Sequence, residues 1–195
     1  MLTTKLNTLP LFFSLPLAAV LARPNPAGPN GPKPLELQPS RVVLHDAHWT
    51  GGNTCDPGLC RAYRSPTDGG HDLSTLLTFT YPPDFNGKTC WLEFATPSVS
   101  QGGLVDVFTQ WSPVNTCPSA ANNRDRDLGR MSVPWGGGKA TWIETYNGGS
   151  YMTAPGPCTG KPGAVEGFEV VGVGDFVNIT WMQLPGMGLR VLYLT

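Results

Sequence analysis

Two short runs of alternating apolar and polar residues, separated by turn-forming residues, constrain the fold of this chain most strongly. Residues 77–81 place an apolar or aromatic side chain at every second position, and residues 90–94 do the same. This period of two is expected of a strand with one buried and one solvated face. Between the runs, Pro82-Pro83 cannot donate the hydrogen bonds of a strand ladder, and Asn86-Gly87 tolerates positive φ. We therefore predict two strands joined by a β-hairpin or a corner.

The rest of the chain also has the composition of a β-protein. Its 24 glycines and 20 prolines disfavour long helices and favour short strands between turns. Further stretches rich in β-branched and aromatic residues lie between these breakers, at 41–45, 104–111, 139–146, 150–153, 165–173, 176–182 and 188–194. We predict an all-β fold, an antiparallel β-sandwich of immunoglobulin-like or jelly-roll-like type with about eight to ten strands, stabilised by disulfides. Residues 49–70 are expected to form a long loop, and periodicity is lost over 112–128.

The N-terminal segment has the organisation of a secretory signal peptide. Lys5 gives a positive start, residues 9–21 form an apolar run, and Ala22 ends a site of the kind that a signal peptidase recognises. The alternative is a membrane anchor, but two prolines interrupt the run, which is shorter than the ~20 residues that span a bilayer. We predict a signal peptide over residues 1–22 and a secreted protein, extracellular or in the cell wall.

The predicted mature chain divides into a leader and one domain. Residues 23–40 are rich in proline and glycine and contain little that could enter a core. Residues 41–195 are long enough for a single domain with a substantial core. The charged fraction is 14%, the formal net charge is −1, and no basic run occurs. We therefore expect no nucleic-acid partner and no membrane partner after signal removal, and we expect carbohydrate or an extracellular protein instead.

The cysteine content is consistent with secretion through an oxidising compartment. All five follow the predicted cleavage site, and disulfides are the expected state in secreted proteins. Cys55 and Cys60 are five residues apart and are predicted to close a small ring, although either could pair with Cys117 instead. Because the number is odd, one thiol is left over.

A series of short motifs in the C-terminal part of the chain follows the pattern of a known family. The motifs are Tyr81-Pro82-Pro83, Gly87-Lys88-Thr89-Cys90-Trp91-Leu92-Glu93-Phe94, Gly149-Ser150-Tyr151, Pro157-Cys158, Gly167-Phe168-Glu169-Val170 and the strand 189–194. With them the chain resembles the fungal But-two C-terminal domain family over roughly residues 74–195. The family is named after a protein reported to bind a subunit of a ubiquitin-like activating enzyme. The resemblance implies a Cys90–Cys158 disulfide that clamps the two sheets, worth ~4 kcal/mol in the chain-entropy model.

Two kinds of residue are candidates for ligand contact or modification. Trp91 alternates with core residues and Trp135 lies in a predicted turn, so both are candidate platforms for stacking on a sugar ring. Asn178 begins the standard glycosylation sequon of the chain. It points to solvent if Val177 and Ile179 face the core.

The sequence gives little support for a catalytic site or a metal-binding site. Asp106, Glu144 and Glu169 lie on predicted strands and could supply the paired carboxylates of a glycoside hydrolase, but nothing in the sequence shows that they face one another. The histidines of residues 45–48 are spaced i, i+3, which converges on a helix and not on a strand. The charged run 123–129 departs from calcium-loop spacing and is predicted to be a solvated loop. No catalytic, cofactor-binding or metal-binding residue is therefore assigned.

These observations lead to a functional hypothesis with two alternatives. The first expectation is a secreted, non-catalytic But-two-like protein with a binding or structural role at the cell wall or outside the cell. The second is a secreted hydrolase that acts on wall polysaccharide through two carboxylates. The third follows the family name, as a partner of a ubiquitin-like activating enzyme. That enzyme is intracellular, so the predicted signal peptide argues against the third.

Overall fold

The computed structural model describes residues 31–48, 53–97, 101–114, 124–146, 152–158 and 162–195. The predicted signal peptide, residues 23–30 of the predicted leader, Cys117 and the first part of the strand expected at 150–153 lie outside these residues. The described residues form fourteen strands and no helix, which confirms the predicted all-β class. Ten of these strands have five or more residues. In chain order the strands are β1 (Leu35–Leu37), β2 (Arg41–Asp46), β3 (Thr54–Cys55), β4 (Cys60–Arg64), β5 (Leu73–Thr80), β6 (Thr89–Thr96), β7 (Gly103–Gln110), β8 (Arg124–Val133), β9 (Gly138–Lys139), β10 (Thr141–Thr145), β11 (Gly156–Pro157), β12 (Val165–Val173), β13 (Val177–Trp181) and β14 (Gly188–Leu194).

The strands form two antiparallel sheets. The smaller sheet has the order β1-β14-β6-β11, and β9 pairs with the end of β6. The larger sheet has the order β10-β8-β7-β12-β5-β2-β3. Near the start of β5, β4 also pairs with that strand and carries β13 on its other side. Neighbours in each sheet are often distant in sequence, so most strand contacts are long-range.

The two strands predicted on either side of the prolines are β5 and β6, and they belong to different sheets. Between them the amide of Phe85 donates to the carbonyl of Pro82 at 3.1 Å, and Gly87 takes a φ of 77°. The side chains of Tyr81 and Phe85 are buried and stacked, with ring centroids 4.5 Å apart. The connection is therefore a corner that crosses the core, because a chain with two consecutive prolines cannot continue the β5 ladder into a hairpin.

The core lies between the sheets and takes alternate residues from each. Leu92 and Phe94 of the smaller sheet and Phe79 and Phe168 of the larger sheet are all buried. Phe94 meets Trp181 of β13 edge to face, with ring centroids 4.9 Å apart. Burial of each such side chain contributes about 1.5–3 kcal/mol relative to exposure. The apolar positions predicted to face the core in residues 77–81 and 90–94 are buried. The solvated face expected for residues 77–81 was wrong at Thr78, which is also buried and donates its hydroxyl to the Val114 carbonyl at 2.8 Å.

The longest strand, β8, covers much of the run that was predicted to be a charged loop. Its register against β7 shifts on both sides of Phe108, so the alternation of β8 with its neighbour is broken there. Two of its charged side chains form ion pairs on the outer face of the larger sheet, the face turned away from the core: Arg124 with Glu169 and Arg130 with Asp106. The loop prediction was wrong because irregular pairing hid the period of two.

Cys55 and Cys60 do not form the predicted ring. Cys60 is a buried thiol in the core between the sheets. Cys55 is disulfide-bonded and pairs in register with Val43, which belongs to a small apolar cluster on the outer face of the larger sheet. Residues directly opposite on neighbouring strands share a face. Cys55 and Cys60 therefore lie on opposite faces of the sheet, which rules out a bond between them.

Cys90 and Cys158 are also present as thiols. On β11 the residue opposite Cys90 is Gly156, and Cys158 donates its amide to the carbonyl of Lys88 at 2.9 Å. Cys158 is thus a diagonal neighbour of Cys90, and such neighbours have Cα atoms roughly 7–8 Å apart. A disulfide requires about 4.4–6.8 Å. The pairing implied by the resemblance is therefore not formed, although a side-chain hydrogen bond joins the two thiols.

Candidate functional site

A shallow cleft of about 190 Å³ lies on the larger sheet where β4 ends and β5 begins. We call it the polar cleft. It is lined chiefly by Tyr63, Arg64, Asp72, Ser74, Arg124 and Val171. These residues come from β4, β5, β8, β12 and the loop before β5, so only the folded sheet brings them together.

One wall of the polar cleft is an ion pair. Arg64 Nε lies 3.2 Å from Asp72 Oδ2, and both side chains are partly open to solvent. The same two residues also line an adjoining cleft of about 220 Å³, which extends toward Asp175. A guanidinium beside a carboxylate presents hydrogen-bond donors next to acceptors along both clefts.

Ser74 is a polar residue of the polar cleft that is buried without a hydrogen-bond partner among the described residues. Its side chain is 4% exposed, and its hydroxyl has no hydrogen-bond partner among the described residues. A buried hydroxyl without a partner costs about 1–3 kcal/mol. Such a group is expected to find a partner outside the protein, and Ser74 lines the cleft where a ligand would lie.

A second ion pair borders the polar cleft. Arg124 binds both carboxylate oxygens of Glu169, at 2.6 and 2.9 Å, and its guanidinium carbon lies 5.0 Å from the ring centroid of Phe108. Glu169 is wholly buried, whereas the Arg124 side chain is 43% exposed. The hydrogen bonds to Glu169 raise the pKa of Arg124, so this group stays cationic. Two of the five N–H donors of a guanidinium serve Glu169 here.

Tyr63 supplies the aromatic surface of the polar cleft. The guanidinium of Arg61 lies 4.2 Å from the Tyr63 ring centroid, which is within cation–π distance. Arg61 Nε in turn donates to the amide oxygen of Asn178 at 2.9 Å. The ring is therefore held by a neighbour on its own strand.

The predicted glycosylation residue Asn178 lies on β13, on the side away from the core. Val177 and Ile179 are buried and Asn178 is half-buried, so the side-chain directions expected from the alternation are confirmed. Because the amide of Asn178 binds Arg61, a glycan there would share the surface beside Tyr63. Glycosylation itself stays a prediction.

The structure places all three candidate carboxylates in ion pairs of the larger sheet. Asp106 binds Arg130 through both oxygens, at 2.8 and 3.0 Å. Glu144 lies 3.8 Å from Arg130 and accepts a hydrogen bond from Tyr146, which raises the pKa of that phenol. Registers place Asp106, Arg130 and Glu144 opposite one another on β7, β8 and β10.

This arrangement differs from the acid and nucleophile of a glycoside hydrolase. Both oxygens of Asp106 bind Arg130, and Glu169 has no surface exposed to a substrate. A hydrolase needs two accessible carboxyl groups on either side of the scissile bond. The charged residues of this face form a row of ion pairs instead.

The candidate stacking residues Trp91 and Trp135 do not form one platform. Trp135 is 74% exposed in the turn before β9, whereas Trp91 is half-buried on β6. Thr96, at the far end of β6, pairs with Gly138. Five strand residues separate Trp91 from that end, a distance of about 17 Å at the rise of a strand. Phe176, 64% exposed in the turn before β13, is a further exposed aromatic residue that the sequence did not single out.

Two of the three histidines, His48 and His71, lie closer together than we expected from the sequence. His71 Nδ1 lies 3.1 Å from Asp46 Oδ2, and the His48 and His71 ring centroids are 4.7 Å apart. His45 is turned elsewhere and bonds Asn53 Oδ1 at 2.8 Å. Within the described ranges no three His, Cys, Asp or Glu side chains are grouped so as to hold a metal ion.

Comparison with family models and with curated proteins found no match for this chain. No model of a known protein family matches it, and no curated protein is significantly similar to it. The part of the chain that the structure describes contains no helix of the length and apolarity that a membrane crossing needs.

Proposed function

We propose that this protein is a secreted, non-catalytic β-sandwich of the But-two type that binds carbohydrate at the polar cleft. The observation that carries the proposal is Ser74, a buried hydroxyl with no hydrogen-bond partner among the described residues, which lines a cleft beside the Arg64–Asp72 ion pair. Secretion and a place in the cell wall rest on the signal-peptide pattern of residues 1–22. Two antiparallel sheets around one core support the sandwich.

The chemistry of the polar cleft favours a neutral, hydroxyl-rich ligand. Arg64 and Arg124 are each paired with a carboxylate, so the cleft carries donors and acceptors without a large net charge. Each sugar hydroxyl both donates and accepts hydrogen bonds, which suits this alternation. Tyr63 adds the aromatic surface on which the apolar face of a sugar ring packs.

The size of the site favours one unit of a polymer rather than a free small molecule. Pockets that enclose drug-sized ligands have volumes of about 300–1,000 Å³. The polar cleft has about 190 Å³ and is open, but it shares Arg64 and Asp72 with the adjoining cleft of about 220 Å³. Two adjoining open clefts suit an extended chain that occupies both.

The test is incubation of the purified protein with insoluble chitin, β-glucan and cellulose, with depletion from the supernatant and release of soluble sugar both recorded. We expect depletion on one of these polymers and no sugar release. Arg64→Gln should weaken binding about ten- to a hundredfold, since it removes a charge-assisted hydrogen bond worth about 1.5–3 kcal/mol.

Ser74→Ala separates a ligand role from a structural one. Removing an unsatisfied buried hydroxyl should leave the free energy of unfolding unchanged or raise it by about 1 kcal/mol, while binding falls. Trp135→Ala is the matched control, because Trp135 is exposed but does not line the polar cleft. A loss on Trp135→Ala without one on Ser74→Ala would move the site to the exposed aromatic residues. Sugar release that Asp106→Asn abolishes would instead support the hydrolase alternative.

A further inference from the structure

Three sulfur atoms meet at one end of the core, where β6 pairs with β11. The Cys90 thiol lies 3.5 Å from the Met152 thioether sulfur, and a side-chain hydrogen bond joins Cys90 to Cys158. Cys90 and Met152 are buried, and Cys158 is half-buried. We propose that Cys90, Cys158 and Met152 form a binding site for a soft monovalent metal ion, Cu(I).

The register of the strands distinguishes this site from a disulfide. The Cys90 and Cys158 thiols are joined by a hydrogen bond, but as a diagonal pair the two residues have Cα atoms spaced more widely than a disulfide allows. A bound metal lies between its sulfur ligands at about 2.3 Å from each, as for zinc, which spaces the sulfurs just under 4 Å apart. The Cys90 and Met152 sulfurs, 3.5 Å apart, and the hydrogen-bonded thiols therefore suit a metal bridge better than a covalent bond.

The third ligand is held in a backbone conformation that the chain would otherwise avoid. Met152 has a φ of 56°, one of two positive values for residues other than glycine within the described ranges. Its carbonyl accepts a hydrogen bond from the Leu92 amide at 2.7 Å, which fixes this residue against β6. Left-handed backbone of this kind persists where surrounding contacts enforce it and is often found at functional sites.

The ligand set selects the metal. Thiolate and thioether sulfurs are soft ligands that favour Cu(I), whereas hard cations prefer oxygen. On binding, two thiol protons leave to solvent, two thiolate–copper bonds and one thioether–copper bond form, and no electron is transferred when the ion arrives as Cu(I). The two thiolates and the ion would carry a net charge of −1. The Lys88 ammonium, which pairs with Asp84 at 2.7 Å, also acts on Cys158 through its charge.

Access to the site is through Cys158. Cys158 is half-buried and directly follows β11, the two-residue edge strand of the smaller sheet, whereas Cys90 is 2% exposed. Tyr81, which belongs to the same buried core cluster as Cys90, donates a hydrogen bond to Glu166. The ion would therefore enter from the edge and be covered by the core.

The experiment is an anaerobic titration of the reduced full chain with Cu(I), in competition with the chromophoric chelator bicinchoninate. We expect one Cu(I) per chain, with near-ultraviolet absorption from sulfur-to-copper charge transfer. Cys158→Ser should abolish binding. Met152→Leu, which conserves volume, should weaken it by at least the roughly tenfold loss typical of removing even an outer-shell partner. Met182→Leu, on an exposed methionine, is the matched control and should bind as the wild type does.

Folding of the variants is checked by thermal unfolding without metal, where Cys158→Ser and wild type should have similar midpoints. Added Cu(I) should then raise the midpoint of the wild type alone, because a ligand that binds only the folded state stabilises it. Undiminished Cu(I) binding by Cys158→Ser would overturn the proposal. So would peptide mapping of the secreted protein that finds Cys90 and Cys158 joined to each other.

Discussion

At the scale of single residues, burial of ionisable groups is the feature that strand alternation does not reveal. Glu169 lies on the outer face, where the pattern alone indicates solvent, yet it is wholly buried and paired with Arg124. Glu166 lies three residues earlier on β12 and accepts a hydrogen bond from the hydroxyl of buried Tyr81. Both carboxyl groups contribute to stability through named partners, and neither role is visible in the spacing of the sequence.

Glu166 makes stability depend on pH. Burial raises the pKa of Glu166, and the hydrogen bond from Tyr81 and the charge of Arg126 offset this only in part. An acid with a raised pKa in the folded state stabilises the fold fully below its unfolded pKa, and this stabilisation is lost as pH rises through the folded pKa. The free energy of unfolding should therefore fall as pH rises above the ordinary value of 4.5.

Glu166→Gln should remove this part of the slope. Urea unfolding of wild type and variant between about pH 4 and 7 measures it as the difference between the two curves. Equal slopes in both proteins would show that Glu166 does not titrate in this range.

At the scale of elements, regular strands could be predicted from the sequence and irregular ones could not. Residues 77–81 and 90–94 alternate cleanly and form β5 and β6 as expected. The strands that were missed include β4 and β8, because β4 lies in a segment rich in glycine and proline and β8 has a register shift. The polar cleft was missed with them, since Tyr63 and Arg64 belong to β4 and Arg124 begins β8.

Gly129 allows β10 to approach β8. It has a φ of 136°, and a Cβ there would lie 2.8 Å from Thr145 Cα and still closer to the Glu144 carbonyl oxygen. Gly129→Ala should therefore combine a disfavoured φ with a backbone clash and reduce the free energy of unfolding by about 2 kcal/mol or more. Urea unfolding measures the loss.

Gly136→Ala separates the two causes. Gly136 has a φ of 76° but nothing within 4 Å of an added Cβ. It should cost only about 1–2 kcal/mol for the left-handed conformation. Equal losses at both positions would show that the approach of β10 is not tight.

At the scale of the whole molecule, both sheets carry networks of charge on their outer faces and share one core. On the smaller sheet, Arg190 is nearly buried and pairs with Glu36 at 2.9 Å and with Glu93, which also pairs with Lys139. These contacts join β1, β14, β6 and β9. Each outer network lies within one sheet, so neither network joins the two sheets. The sheets meet through core contacts and through Gln183, which is hydrogen-bonded to Trp181 of β13 and to the Leu189 carbonyl of β14.

Phe94 tests whether the two sheets unfold as one unit. It comes from the smaller sheet and packs on Trp181 of the larger one, with both side chains almost fully buried. Phe94→Ala should reduce the free energy of unfolding by about 3–5 kcal/mol. Because the lost contact joins the sheets, tryptophan fluorescence and far-ultraviolet circular dichroism should shift together in a single transition.

Thr89→Ala, half-buried on the same strand, is the control and should cost under about 1 kcal/mol. Separate transitions for the two signals in Phe94→Ala would mean that one sheet keeps its structure without the other, and the shared core would then not be what makes this chain one domain.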